Sequence, residues 1–210
     1  MIKLAELVKL KKMVYTESIS DKHKKRLKRK TPSFHENIVL PYQLPPDNDS
    51  NVTLRELKYL PKIKPNPDLV NKKDDVVETF FEVMDMTGVK VDKDYIKQIN
   101  KESVKFIFEL KYKYNRPRPF QLAEVYDMDL NGTRLDSMKT PSFPSGHAVQ
   151  GYFIAEVLSL KDPRNSHIYR QVGEDIAQSR IIGKAHYPSD KKYGKKVAKA
   201  LFKGLKWFLN

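Results

Sequence analysis

The chain has 210 residues, enough for one well-packed domain with some excess, and 40% of them are hydrophobic. Lys and Arg outnumber Asp and Glu by 40 to 26, which gives a net charge of +14. This surplus favours an anionic partner, whether a phosphorylated small molecule, nucleic acid or an acidic membrane surface. The absence of cysteine excludes disulfides, cysteine-ligated metals and thiol catalysis.

Targeting segments are not evident in the sequence. The N-terminus soon reaches Lys9, Lys11 and Lys12, and no apolar segment of signal-peptide length follows. No apolar run reaches the roughly 18 residues that a membrane-spanning helix needs. We therefore expect a soluble cytoplasmic protein, and the lysine-rich composition also fits a phage-encoded protein that acts in the host cytoplasm.

The first 70 residues differ in composition from the rest of the chain. The run from Lys22 to Lys30 is nearly all basic, and prolines then interrupt any long helix or strand, at positions Pro32, Pro41, Pro45, Pro46, Pro61, Pro65 and Pro67. The pattern predicts an irregular basic arm over residues 1–70, with short helices at most, lying over a helical domain of residues 71–210.

Apolar residues recur at helical spacing from about Asp74 onward. The periodicity predicts five helices: from about Asp74 to Gly88, from about Asp92 to Tyr114, after Pro144, around residues 168–179, and from Tyr193 to the C-terminus. Strand signals are weak throughout. The fold class is therefore predicted to be all-α, a single bundle of about five or six core helices.

Chemically reactive side chains concentrate where these helices begin or end, and the first group is at the end of the second helix. Lys111 and Arg118 are separated by six residues, and Pro117 and Pro119 stop the helix between them. The two cations could meet from a helix and a loop. A basic helix end is also common without any function, because cations favour the negative end of the helix dipole.

The second group is Pro144-Ser145-Gly146-His147, which precedes the third helix. Backbone N–H groups at a helix N-terminus bind anionic oxygens, and a glycine lets the backbone approach a ligand closely. Ser145 adds a hydroxyl donor, and His147 could protonate a leaving group. The alternative is a simple helix start that Ser145 caps.

The third group combines a guanidinium, an imidazole and a carboxylate in one segment, Ser179 to Asp190. Asp190 follows His186 by four residues and could bond one ring nitrogen, which leaves the other nitrogen free to attack. The alternative is a surface ion pair at a helix start. Of the other histidines, His23 and His35 are assigned to the arm and His167 to the surface.

Together the three groups resemble the signature of the type-2 phosphatidic acid phosphatase and vanadium haloperoxidase superfamily. That signature reads K-x6-R-P, then P-S-G-H, then S-R-x5-H-x3-D, and all eleven defined positions agree: Lys111, Arg118, Pro119, Pro144, Ser145, Gly146, His147, Ser179, Arg180, His186 and Asp190. The run from Arg116 to Phe120 makes the chain most similar to the soluble bacterial class A acid phosphatases.

The resemblance implies a metal-independent phosphatase that hydrolyses small phosphomonoesters, nucleotides among them, through a phosphohistidine. His186 would attack phosphorus, Asp190 would orient His186, and His147 would protonate the leaving oxygen. The phosphate oxygens would be bound by Lys111, Arg118, Ser145, Gly146 and Arg180. Lys191 and Lys192, which follow Asp190, would add cations near the pocket and alter what enters it.

Three other functions remain open on the same sequence. In a vanadium haloperoxidase the residues that would bind phosphate would instead hold vanadate as a cofactor, with His186 as the vanadium ligand. An assay of halide oxidation would reveal this activity. In a lipid phosphatase the run from Lys22 to Lys30 would contact anionic head groups. In a nucleic-acid-binding protein the same run would contact phosphates in a salt-dependent way. Homo-oligomerisation is left open as well.

Overall fold

The computed structural model describes residues 4–28, 38–132 and 135–209. These ranges contain helices and no strand. In chain order the helices are α1 Leu4–Lys12, α2 Asp21–Leu27, α3 Asn51–Tyr59, α4 Pro67–Lys72, α5 Val76–Thr87, α6 Lys93–Tyr114, α7 Pro119–Val125, α8 Gly146–Lys161, α9 Ser166–Ile182 and α10 Pro188–Leu209. The predicted all-α class is confirmed, and the five predicted helices correspond to α5, α6, α8, α9 and α10.

Local sequence explains where the long helices start and stop. The Asp75 side chain accepts the Glu78 N–H, which caps α5, and Gly88 ends that helix with a left-handed φ of 67°. Asp92 caps α6 in the same way, and Asn115 ends it with a φ of 48°. These caps fix the position of Lys111, which lies in the last turn of α6.

Helix α8 lies at the centre of the bundle, packed against α6, α9 and α10. It is apolar nearly all round, which is the pattern of a buried helix. Its crossing with α9 is close because two glycines meet there: a Cβ on Gly173 would lie 2.8 Å from the carbonyl oxygen of Gly151. This contact sets the distance between the two helices that carry His147 and Arg180.

The segment before residue 71 packs on the bundle at several places. Leu10, Leu57 and Leu60 are fully buried in a second apolar cluster with Ile181 and Tyr187. Each such leucine contributes roughly 1.5–3 kcal/mol relative to an exposed one. Further along, Pro41 and Gln43 bond to α10, where the Tyr193 hydroxyl donates to the Pro41 carbonyl at 2.7 Å.

No helix within the described ranges is long and apolar enough to cross a membrane.

We predict that Gly173→Ala destabilises the fold by about 1–2 kcal/mol, since the new methyl group would press on a backbone carbonyl that cannot rotate away. Urea unfolding measures the change in the free energy of unfolding. Gln171→Ala, at an exposed position of the same helix, is the control and should stay within about 0.5 kcal/mol of the parent protein. An unchanged or higher stability of Gly173→Ala would contradict the close crossing.

Candidate active site

Helix ends deliver the predicted site residues to one region of the bundle. Arg118 immediately precedes α7, Ser145 immediately precedes α8, and Asp190 lies in the first turn of α10. Of the predicted residues, five line a single cavity of about 580 Å³: Lys111, Arg118, Gly146, His147 and His186. Residues distant in sequence by up to 75 positions are thus brought together.

Asp190 is the most enclosed charge in this region, with no exposed surface. One of its oxygens accepts from Arg116 at 2.6 Å. The other accepts from the Ser142 hydroxyl, from the Tyr187 N–H at 3.0 Å and from His186 Nδ1 at 3.1 Å. Burial opposes the charged form of the carboxylate, but Arg116 and the hydrogen bonds outweigh it and hold the pKa of Asp190 below its usual range.

The partners of His186 assign its tautomer. Its Nε2 lies 2.9 Å from an Arg118 nitrogen, and a guanidinium can only donate, so Nε2 carries the lone pair. Nδ1 therefore carries the proton and donates it to Asp190. Burial and the charge of Arg118 hold the pKa of His186 well below its usual range. The ring is thus a neutral imidazole whose basic nitrogen accepts from Arg118, and both residues line the cavity.

Two cations flank that nitrogen. Arg118 is buried and fixed by the carbonyls of Thr140 and Ala185, at 2.7 and 2.8 Å. Lys111 is also buried and donates to the Pro141 carbonyl at 2.5 Å. Burial, followed by the charge of Arg118, lowers the pKa of Lys111 well below its ordinary value. An anion entering here would relieve both the desolvation and the mutual repulsion of these cations.

His147 is held on the opposite side by Asp74. Its Nε2 lies 2.9 Å from the Asp74 backbone carbonyl and 3.2 Å from the Asp74 carboxylate. Asp74 also accepts from Arg180 at 2.6 Å, so that one carboxylate joins the histidine to the guanidinium. His147 and Arg180 hold the pKa of Asp74 down at about 2. Burial is the largest effect on His147 and lowers its pKa, whereas Asp74 raises it.

Two predicted phosphate ligands are engaged elsewhere. Arg180 bonds to Asp74, to the Val70 carbonyl and to the Ser179 hydroxyl, and it does not line the cavity. The Ser145 hydroxyl accepts the Ala148 N–H as the cap of α8. Gly146 does line the cavity, and a Cβ on it would lie 3.8 Å from the Lys111 side chain. Their binding of phosphate stays a prediction.

Several residues of the site had no role in the sequence prediction. Arg116 and Ser142 support Asp190, and Asp74 contacts both His147 and Arg180. Glu56 reaches from α3 to accept from the Ser189 N–H and hydroxyl, both at 2.7 Å. Arg116 was visible as part of an Arg-Pro-Arg-Pro run, but nothing local in the sequence marks Glu56 as a partner of Ser189 and Arg116 or Asp74 as a partner of His147.

One expectation about charged residues was wrong. Lys191 bonds to Glu174 and Gln178 on α9, and together with Lys192 it lines a different cavity, so these lysines do not surround the site. His23 lies in the arm, on α2, and it also lines the cavity with Lys111. His167 is exposed, as expected. His35, with Arg29 and Lys30, lies outside the described residues.

Among the residues whose positions are described, no group of three or more His, Asp or Glu side chains is arranged to hold a metal ion.

The Asp74 contact leads to a prediction about His147. Replacing Asp74 with Asn removes the charge that raises the pKa of His147, so we expect that pKa to fall further. NMR titration of the His147 ring measures it. Asp75→Asn is the control, because Asp75 is the adjacent acid in the chain and its bond is to the Glu78 N–H. An unchanged or raised pKa of His147 in Asp74→Asn would contradict the pairing.

Known proteins resemble part of this chain in sequence. Non-specific acid phosphatase of Salmonella typhimurium is 36% identical over 92 residues, which are 42% of this chain and 35% of that protein. Non-specific acid phosphatase of Providencia stuartii is 38% identical over 81 residues, 38% of this chain and 32% of that protein. The match thus spans about a third of the length of these curated relatives.

Fold and family comparisons agree with that result. A bacterial vanadium-dependent iodoperoxidase superposes with a TM-score of 0.62 at 16% identity, over 82% of this chain and 52% of that one, which is a likeness of fold. The PAP2 superfamily model matches residues 102–203, the range that contains all of the signature positions. Residues 102–203 of this chain are therefore similar to the PAP2 superfamily.

Proposed function

We propose that the protein is a phosphomonoesterase that works through a phosphohistidine on His186. The observation that carries the proposal is the His186 ring, which lines a cavity together with Lys111 and Arg118 and has Nδ1 bonded to buried Asp190 and Nε2 bonded to Arg118. The acid phosphatases that the chain resembles support the same reaction class. Nucleotides are included among the candidate substrates.

In the first step, Arg118 transfers its hydrogen bond from His186 Nε2 to the incoming phosphate, and the freed Nε2 attacks phosphorus in line with the leaving oxygen. A P–N bond forms as the P–O bond breaks, and the ring becomes positively charged. Asp190 stabilises that charge through Nδ1, in the way that the acid of a serine protease triad stabilises its histidine. Lys111 and Arg118 neutralise the phosphoryl oxygens, and positioning with charge stabilisation is most of what phosphoryl transfer requires.

In both steps, His147 moves the proton. In its charged form it gives a proton to the leaving oxygen, and in its neutral form it then accepts one from the water that breaks the P–N bond. Because burial lowers the pKa of His147 below its ordinary 6.5, the charged form is populated on the acid side of neutrality. The proposed mechanism therefore implies an acid pH optimum.

Asp74 has a direct bearing on substrate entry in this mechanism. Its carboxylate occupies the Arg180 guanidinium that would otherwise bind a phosphoryl oxygen. Binding of a dianionic phosphate on Arg180 requires that the carboxylate give up this contact or share it. Because Asp74 is half-exposed at the cavity, the rearrangement would be a small movement of its side chain toward solvent.

The likeness to the iodoperoxidase concerns the fold alone. The vanadium haloperoxidase alternative accordingly stays a prediction, in which Lys111, Arg118 and His186 would hold the vanadate. The same fixed cations are the reason to propose phosphatase activity that needs no metal, since they supply the charge that metal ions supply in other phosphatases.

We predict that His186→Ala lowers kcat for an aryl phosphate by at least about a thousandfold, because the nucleophile is removed. Phosphate release measures the loss, and an unchanged Tm shows that the fold is intact. His167→Ala, exposed on α9, is the matched control and should keep its activity. Full activity of His186→Ala would exclude the phosphohistidine.

Metal removal gives a separate test. After dialysis against excess chelator, we expect the rate of aryl phosphate hydrolysis to stay within about twofold of the untreated rate, because side-chain cations supply the charge. The untreated protein dialysed in parallel is the control. A loss of activity that added metal restores would contradict the metal-independent mechanism.

A further inference from the structure

The cavity of His147 and His186 has a wall that comes from the N-terminal arm. Helix α2 contributes Lys22, His23 and Arg26 to this wall. These three residues are additional to Lys111 and Arg118, the cations proposed to bind the reacting phosphate. The basic run identified in the sequence therefore reaches the proposed active site.

Packing on α6 fixes the orientation of α2. The His23 Nδ1 lies 3.1 Å from the Tyr112 hydroxyl, and the His23 ring meets Phe108 edge-on at 5.0 Å. Arg26 lies over the same Phe108 ring at 5.2 Å, and Leu27 packs against the main apolar core. A helix anchored by rings and apolar contacts presents its charges in defined directions.

The charges of α2 divide between two faces. Lys22 and Arg26 are four residues apart, so they lie on the same side of the helix, and both line the cavity. Lys24 pairs with Asp21 at 3.2 Å and, like Lys25, is exposed and does not line the cavity. The helix thus directs one pair of cations to the site and another pair to solvent.

Each acidic residue at the cavity has a hydrogen-bond or ion-pair partner outside α2, although, after Lys139, the charge of Lys22 also contributes to lowering the pKa of Asp136. Asp74 bonds to Arg180 and His147, Asp75 caps α5, and Asp136 pairs with Lys139 at 2.7 Å. The cations of α2 and Lys111 act on the same group. Burial lowers the pKa of His23, and the charges of Arg26, Lys22 and Lys111 lower it further.

We propose that Lys22 and Arg26 form a subsite for a second phosphate, carried by the leaving group of the substrate. The preferred substrate class is then a small bisphosphorylated compound, with one phosphate at His186 and the other at α2. This inference rests on the proposed phosphatase function. Two cations on one helix face suit a dianionic phosphate, and a cavity of about 580 Å³ has room for a small molecule that spans both walls.

The test compares substrates that differ only in the second phosphate. A series of α,ω-alkanediol bisphosphates of increasing length is assayed beside the alkyl monophosphates of the same length, at low ionic strength, and kcat/KM is measured for each. The protein should prefer the bisphosphates. In Lys22→Gln/Arg26→Gln, the ratio of bisphosphate to monophosphate kcat/KM should fall about fivefold or more, as expected for the loss of two partly exposed ion pairs.

Lys24→Gln/Lys25→Gln is the matched control, with the same change of net charge on the other face of the helix. Its ratio should stay within about twofold of the parent value. An equal fall in both double variants would overturn the subsite in favour of a general charge effect, and so would an unchanged ratio in Lys22→Gln/Arg26→Gln. Lys22→Gln alone, which leaves the ring contact of Arg26 in place, should lower the ratio in the same direction.

A binding measurement distinguishes an error in the proposed subsite from an error in the proposed phosphatase function. Titration calorimetry with non-hydrolysable alkane bisphosphonates and alkylphosphonates measures the same ratio without turnover. Hydrolysis of monophosphates with no bisphosphate preference would overturn the subsite alone. Absence of hydrolysis with a bisphosphonate preference that Lys22→Gln/Arg26→Gln abolishes would overturn the phosphatase function and support the subsite.

Discussion

The buried Asp190 carboxylate is the interaction on which the arrangement of the site depends. It accepts four hydrogen bonds, from Arg116, Ser142, Tyr187 and His186, and these donors come from the ends of three separate helical segments. A fully buried carboxylate without such partners would cost several kcal/mol. The requirement to satisfy it therefore joins α6, the loop before α8 and the start of α10, and it orients His186 as a result.

The acids that contact the two histidines differ in environment. Asp190 is enclosed and has His186 and the positively charged Arg116 as partners, which suits a ring that gains a positive charge in the proposed mechanism. Asp74 is half-exposed and shares its charge between His147 and Arg180. Burial lowers the pKa of both rings, and burial together with Arg118 holds the pKa of His186 well below its usual range.

Sequence periodicity was sufficient for the core of the fold. The long helices can be predicted from the spacing of apolar residues and from caps such as Asp75 and Gly88, which act within a few residues. The segment signatures likewise identified five of the residues that line the cavity. Contacts over long sequence separations had no such signal. The Arg180–Asp74 bond spans 106 residues, and α2 is placed against α6 by a histidine that looked like one more member of a basic run.

Through Glu56, the N-terminal segment helps to position the site, although the irregular composition of this segment gives no sign of such a role. Arg116 lies between two carboxylates, Asp190 on one side and Glu56 of α3 on the other, and Glu56 also holds the first turn of α10 through Ser189. A fragment cut at residue 70 would lose this second carboxylate and uncover Ile181 and Tyr187. The smallest unit that can fold alone is accordingly larger than residues 71–210. Transplanting those residues into another protein would carry the signature without the N-terminal contacts that hold it in place.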